Sequence, residues 1–222
     1  MNKSIILLSG GLDSLVCFGL AKDDYNIELA LTFDYGQKSA IREIEASAKI
    51  TEYYGTAHKV IKLDWLKDIS DNALTSADKN LPQGLDNPEE SVKSVWIPNR
   101  NGLFLNIAAA HAEAGNYSHI IIGANKEEAS TFPDNSQNFI DAVNNEFRYS
   151  TMNYPQVIAP LINLDKNGIV GLALKHNIPL DLIYSCYDDG ELNCGKCESC
   201  TRLKNALIFN GASEYVDTLF NE

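Results

Sequence analysis

The sequence predicts an α/β fold built on a doubly wound parallel sheet, and three observations carry that prediction. Short aliphatic runs alternate with longer stretches of helical periodicity along most of the chain. The first of these runs ends in a glycine pair that opens directly into a helix. The 222 residues and 45% hydrophobic content suit one domain with its own core, because a chain of this size buries roughly 70% of its unfolded surface. Alternating strands and helices are joined by crossovers, which keep the strands parallel and cover both faces of the sheet.

The elements follow in order. Ser4–Leu8 reads as the first strand, Asp13–Asp23 as a helix, Ile27–Phe33 as the second strand and Ser39–Tyr54 as the next helix. His58–Leu63 is a third strand. Residues 70–98 then break the rhythm with Asp71, Asn72, Asp78, Asn80, Pro82, Gly84, Asp86, Asn87 and Pro88, all turn or loop formers, and read as an active-site flap or a mobile loop. Asn99–Ala114 returns to helix, His119–Gly123 to strand, Ser136–Phe147 to helix, Gln156–Ala159 to strand and Lys166–His176 to helix. This divides the chain into an α/β domain over residues 1–180 and a small C-terminal metal-binding segment over residues 181–222. In such sheets ligands bind beyond the carboxyl ends of the strands, so the loops after the strands are where a site is expected.

Charge narrows the partners. Thirty acidic residues against eighteen basic give a formal charge of −12, which repels a nucleic-acid backbone. The apolar run Ile5–Leu8 is too short for a membrane span or a signal-peptide core, so a soluble cytoplasmic protein without membrane or nucleic-acid partners is expected.

Ser9-Gly10-Gly11-Leu12-Asp13-Ser14 joins the first strand to the first helix. Adjacent glycines let the backbone take positive φ and approach a ligand, and the helix start offers unpaired amides to an anion. Ser9 and Ser14 add hydroxyl donors, while Asp13 can cap the helix or hold magnesium. No lysine follows the glycines, so the loop differs from those that grip β- and γ-phosphates for γ-phosphoryl transfer; it suits a leaving pyrophosphate. Read blandly, the same residues are a tight turn with a capping Asp.

Cys186, Cys194, Cys197 and Cys200 have the spacing of a knuckle that closes tetrahedrally on one zinc, with no open position for chemistry. A redox cluster, an iron–sulfur centre or two disulfides are the alternatives. Cys17 lies in an apolar helical stretch and reads as core packing. His58, His111, His119 and His176 have no metal-ligand spacing.

The SGGLDS string after the first strand resembles the pyrophosphate loop of the PP-loop ATPases, and Phe33-Asp34-Tyr35-Gly36-Gln37 ends the second strand where that superfamily contacts the nucleotide. The ordered set SGGLDS, FDYGQ, IPNRNGLFLNIAAAHAE, FPDN, PLINLDK and SCY…CGKCESC resembles the QueC family along nearly the whole chain. The resemblance implies an adenine nucleotide alpha hydrolase-like fold. It also implies a carbon–nitrogen ligase that uses ATP and magnesium to convert 7-carboxy-7-deazaguanine and ammonia into 7-cyano-7-deazaguanine, a queuosine and archaeosine precursor. A tRNA-modifying thiolase-like enzyme, or a ligase for a related carboxylate, is the alternative.

The resemblance places the nucleotide along Leu7, Leu8, Ser9, Gly10, Gly11, Leu12, Asp13, Ser14, Leu15, Val16 and Cys17, and at Asp34 and Gln37. Asp13, Arg100 and Lys166 take the catalytic roles. Arg100, whose planar fork can pair a carboxylate or phosphate, and Asp134, which can read a guanine-like edge, would meet the substrate. The chain reads QKS and TFPDNS where many members carry QRH and GYPDCR, so Ser39, Asn135 and Ser136 bear on the identity of the base. The length leaves no room for a glutaminase domain, which puts the ammonia source in solution or on a separate protein, and the resemblance allows a homodimer.

Overall fold

The computed structural model describes residues 3–85 and 93–221. In β1 (Lys3–Leu7) successive side chains go to opposite faces of the sheet, as strand geometry requires. Ile6 and Leu8 join one apolar cluster, while Ile5 and Leu7 join another. A strand buried on both faces belongs in the middle of a parallel sheet. There it lies, in the order β3-β2-β1-β4-β5 with every neighbour parallel, where β2 is Asn26–Asp34, β3 Ala57–Lys62, β4 His119–Ile121 and β5 Gln156–Ile158.

Helices cover both faces. On one side lie α1 (Leu12–Ala21), α2 (Ala40–Tyr54), α7 (Lys166–Lys175) and α8 (Glu198–Phe209), whose buried residues share the cluster of Ile6. On the other, α4 (Arg100–Gly115) contributes Leu105, Ala108, Ala109 and Ala112, and α6 (Gln137–Ser150) contributes Ile140, Val143 and Phe147. Three short helices, α3 (Asp64–Asp68), α5 (Lys126–Ala129) and α9 (Glu214–Leu219), fill the connections and the tail. From β1 the chain steps outward to β2 and β3, then returns to lay β4 on the other side of β1. That reversal opens a crevice beyond the carboxyl ends of β1 and β4.

Strand and helix boundaries fall within a few residues of those expected. Two helices, α8 and α9, were not expected in the tail. In α8, Cys200, Leu203, Ala206 and Leu207 follow helical spacing and bury their side chains, yet the cysteine motif dominates the sequence there. The tail also shares the main core: Cys186, Leu203, Ala206, Leu207 and Phe220 lie in the cluster that includes Ile6 and Leu8 of the first strand.

Residues 70–85 and 93–98 are docked. Leu74, Val95 and Ile97 are buried in the second cluster, and the Ala73 N–H donates to the Ser94 carbonyl at 2.7 Å. Further along, the Gly84 N–H donates to the Lys196 carbonyl at 3.1 Å and the Glu198 N–H to the Pro82 carbonyl at 3.2 Å, fastening this segment to the cysteine knuckle. The turn formers Asp86, Asn87 and Pro88 lie outside the described residues.

The glycine pair divides its labour. Gly10 has φ +76°, and a Cβ there would lie 2.8 Å from both the Ala46 Cβ and the Glu43 carbonyl oxygen of α2. Gly11 has φ −82° and precedes α1 as its N-cap, where a Cβ would meet nothing nearer than 3.4 Å. Gly10→Ala should therefore cost about 1–3 kcal/mol of stability in urea unfolding, whereas Gly11→Ala should stay within about 1 kcal/mol. Equal losses at the two positions would contradict this division.

Candidate active site

The phosphate-type loop is braced from inside and outside. Ser14 Oγ donates to the Gly11 carbonyl at 3.0 Å and accepts the Ser9 N–H at 3.3 Å. The Leu8 carbonyl just before the loop accepts from Thr32 Oγ1 at 2.7 Å and Ser47 Oγ at 3.2 Å. From the tail, the Tyr184 N–H donates to the Gly10 carbonyl at 2.8 Å, and Ser185 Oγ accepts the Leu12 N–H at 3.1 Å. The loop thus borders a cavity of about 280 Å³, lined also by the ends of β2 and β4, the starts of α4 and α7, and α8. At the end of β4, a Cβ on Gly123 would come within 3.2 Å of Asp13 and the Ser14 nitrogen, so that strand end lies against the start of α1.

A buried ion cluster occupies the crevice. Lys166 Nζ, at the first turn of α7, reaches Asp13 Oδ2 at 2.5 Å and Glu128 Oε1 at 2.9 Å. Asn125 Nδ2 donates to the same Asp13 oxygen at 3.3 Å, while Asp13 Oδ1 is buried with no hydrogen-bond partner. Asp13 caps nothing: Gly11 holds the N-cap position. Burial pushes the Asp13 carboxyl up to about 6 against the pull of Lys166. For Lys166 burial opposes the charge, but Asp13 and Glu128 overcome it and hold the ammonium above its ordinary range. In Glu128 the cost of burial is outweighed by Lys166 and Arg100, and its carboxyl sits below the usual range.

A second cluster lies at the end of β2. Arg100 begins α4, its Nη1 donates to Tyr35 Oη at 3.3 Å, and its guanidinium lies 5.9 Å from the Tyr35 ring centroid. Gln37 is occupied in holding this turn: its Oε1 accepts the Tyr35 N–H at 2.9 Å and its Nε2 donates to the Phe33 carbonyl and Glu43, each at 3.0 Å. Asp34 Oδ1 accepts the Gly36 N–H at 3.2 Å. Ser39 Oγ donates to Glu43 Oε1 at 2.6 Å. Burial raises the Glu43 carboxyl, and these donors partly offset it.

The four thiols meet as their spacing requires. Their sulfurs all lie within 4.8 Å of one another, with Cys186 to Cys197 at 3.9 Å and Cys194 to Cys200 at 3.8 Å. Four thiolates at about 2.3 Å from one tetrahedral ion stand about 3.8 Å apart, so the donor set fits a single metal. The cysteines are free of disulfides. Backbone N–H groups of Asp188 and Cys194 point at the Cys186 sulfur and those of Lys196 and Cys197 at the Cys194 sulfur, at 3.3–3.4 Å.

Residues 3–211 match the family model described as queuosine biosynthesis protein QueC. The chain belongs to the QueC family. Its relatives include proteins named 7-cyano-7-deazaguanine synthase from Carboxydothermus hydrogenoformans, 49% identical over 93% of this chain and 98% of the relative, and from Bdellovibrio bacteriovorus, 46% identical over 100% and 98%. Among solved structures, the U34-tRNA thiolase NcsA from Methanococcus maripaludis with its [4Fe-4S] cluster is similar at TM-score 0.51 and 16% identity, over 97% of this chain and 65% of that one. The NH3-dependent NAD synthetase from Campylobacter jejuni is similar at TM-score 0.50 and 18% identity, over 98% of this chain and 78% of that one. At such identities these likenesses speak for the PP-loop fold alone.

In this QueC-family chain the cavity brings together Ser9, Gly11, Asp13, Ser14, Gln37, Arg100 and Lys166, with Leu7, Leu8 and Leu12 beside them. Leu15, Val16 and Cys17 lie behind the loop, fully buried in the core. Gly10, Asp34 and Asp134 are not among the lining residues, whereas Asn135, next to Asp134, is. Asp134 Oδ1 instead accepts from Asn135 Nδ2 at 3.2 Å, and its main-chain carbonyl accepts from Asn101 Nδ2 at 3.2 Å. Ser136 caps α6 by accepting the Phe139 N–H. Sequence reasoning missed Glu43, Glu127, Glu128, Tyr187 and Arg202. The position of Glu127 and Glu128 just past the fourth strand was the signal that could have found the first carboxylate pair.

Asp13 gives a pH signature. Its folded carboxyl titrates near 6 against an ordinary 3.8, so ionising it opposes folding. The stability it contributes is complete below the ordinary value and is lost as pH rises through 6. Relative to wild type, Asp13→Asn should therefore gain on the order of 2–3 kcal/mol between pH 4 and pH 7, read by urea unfolding at each pH. A difference that does not change with pH would show that Asp13 titrates at its ordinary value.

Proposed function

We propose that this cavity binds ATP with its polyphosphate on the Ser9–Ser14 loop and adenylates the carboxylate of 7-carboxy-7-deazaguanine, which ammonia then converts to the nitrile. The chain is a carbon–nitrogen ligase of the 7-cyano-7-deazaguanine synthase type, and its substrates are small molecules. The observation that supports adenylation is a glycine-rich helix start with Lys166 and Arg100 lining the same cavity. The substrate carboxylate oxygen attacks the α-phosphorus as the bond to the leaving pyrophosphate breaks. Loop amides and the α1 N-terminus take up the charge that develops on pyrophosphate. Ammonia adds to the activated carbonyl and AMP leaves, giving the amide. A second ATP adenylates the amide oxygen, and loss of AMP and the nitrogen-bound protons leaves the nitrile.

Within this scheme Lys166 offers its ammonium to the phosphates, and Arg100 its fork to the substrate carboxylate or a phosphate. Asp13, with its partnerless Oδ1, and Glu128 fit the hard oxygen donors that magnesium takes. Bound there, magnesium neutralises phosphate charge. The base would meet the Phe132 and Asn135 side of the cavity, with Asp134 supporting that turn from behind. The acidic surface argues against nucleic acid as substrate. No helix among the described residues is long and apolar enough to cross a membrane.

For the cysteine knuckle we propose zinc. One ion accounts for four sulfurs mutually within 4.8 Å, whereas a four-iron cluster gives each cysteine a different iron and spreads the sulfurs further. The site is closed, so the metal holds the tail against the loop without taking part in the reaction. The residue ranges 1–180 and 181–222 are then a catalytic scaffold and the clamp that completes its cavity.

Two measurements test these readings. Labelled ATP should yield AMP and pyrophosphate when 7-carboxy-7-deazaguanine and ammonium are present, and Arg100→Lys should slow that turnover at least about tenfold; ADP and phosphate as primary products would overturn adenylation. Elemental analysis should find about one zinc per chain, and alanine at any of the four cysteines should lower soluble yield before it alters kinetics. Iron, or a metal-free protein with full stability, would contradict the zinc assignment.

A further inference from the structure

Arg202 lines the cavity from α8, and neither the adenylation scheme nor the metal knuckle uses it. Its Nη1 donates to Glu127 Oε1, and its Nη2 and Nε both donate to Glu198 Oε1, at 2.7 and 3.1 Å. Arg202 is three-quarters buried, as is Glu127, and Glu198 is more so, which makes these ion pairs poorly screened by solvent. Glu127 also faces the nucleotide side: its Oε2 accepts the main-chain N–H of Lys166 at 3.0 Å, and its neighbour Glu128 holds the Lys166 ammonium.

Among the described residues eight charged side chains line the cavity, five carboxylates (Asp13, Glu43, Glu127, Glu128, Glu198) and three cations (Arg100, Lys166, Arg202). A polyphosphate entering such a space is repelled by every carboxylate not already neutralised. Arg202 forms ion pairs with two of the five, Glu127 and Glu198.

We propose that Arg202 is a positioning residue for the polyphosphate: by holding Glu127 in an ion pair it keeps a third carboxylate off the Lys166 ammonium, which Asp13 and Glu128 already share. Without the guanidinium, Glu127 stands beside Lys166 as a third carboxylate competing for its ammonium, and the anion loses. The guanidinium matters, because its separate, coplanar N–H groups reach Glu127 from Nη1 and Glu198 from Nη2 and Nε at once, a fixed geometry that a point-like ammonium lacks. The sequence places this arginine two residues after the last cysteine, on the helix that the knuckle starts, so the tail supplies electrostatic balance as well as a wall. This inference deepens the adenylation reading and rests on it.

The test is calorimetric titration of pyrophosphate, and separately of ATP with magnesium, into the full chain and its variants, with thermal unfolding and metal content recorded for each. R202Q should weaken pyrophosphate binding at least about tenfold at wild-type metal content, and R202K should weaken it less. The double variant E127Q/R202Q should recover most of that loss, a coupling that a merely structural role would not produce. In turnover the R202Q defect should fall on KM for ATP more than on kcat. If R202Q does not fold, R202K and E127Q/R202K read the same coupling. Wild-type protein that binds neither pyrophosphate nor ATP would overturn the adenylation reading itself. Wild-type binding with R202Q unimpaired would overturn the role of Arg202 alone, and so would an R202Q defect that E127Q fails to relieve, since Arg202 would then touch the phosphates directly.

Discussion

One buried cation organises this molecule. Lys166 joins Asp13 of α1 to Glu128 of α5, residues brought together from the β1–β2 crossover, the β4–β5 crossover and the helix that follows β5, at the point where the strand order reverses. Three charges taken out of water cost several kcal/mol each unless they compensate one another, and replacing such a cluster by apolar side chains is often no loss to stability. Its presence at the carboxyl ends of β1 and β4 is therefore an argument from function. The cluster keeps a lysine charged and two carboxylates in place inside the cavity. The partnerless oxygen of Asp13 is the unfinished part of that arrangement.

The cysteine knuckle contributes through what it holds. Immediately before Cys186, Tyr184 and Ser185 hydrogen-bond the phosphate-type loop; immediately after Cys197, α8 carries Glu198 and Arg202 into the cavity. The knuckle also pairs with the segment around Gln83, fastening the long connection between α3 and α4 over the second cluster. A closed four-thiolate site is suited to this work, because its binding energy is folding energy and its geometry leaves little play. The catalytic scaffold and the tail thus form one electrostatic and hydrophobic unit, with a common core that runs from Ile6 to Phe220.

The acidity of the protein fits the same picture. Among the described residues the cavity itself is lined by more carboxylates than cations. Ser39 and Asn135 both line the cavity, and Ser39 donates to Glu43 there.

The sequence alone determined what depends on neighbours along the chain. Strand and helix periodicity, the glycine pair at Gly10 and Gly11, and the four-cysteine spacing are local patterns, and each predicted its element, its turn or its donor set. Asp13, Arg100 and Lys166 were legible because they stand at strand ends and helix starts within motifs that resemble a known family. Only the tertiary structure decided which charges meet. Lys166 is 153 residues from Asp13, and Arg202 is 75 from Glu127, so no window of sequence contains either pair. Folding also withdrew Leu15, Val16 and Cys17 into the core, turned Asp134 behind Asn135, and gave the tail two helices, of which α8 lines the cavity. The physical reason is the same throughout: burial and Coulomb energy act through space, and their balance at a side chain is fixed only when distant segments pack against it.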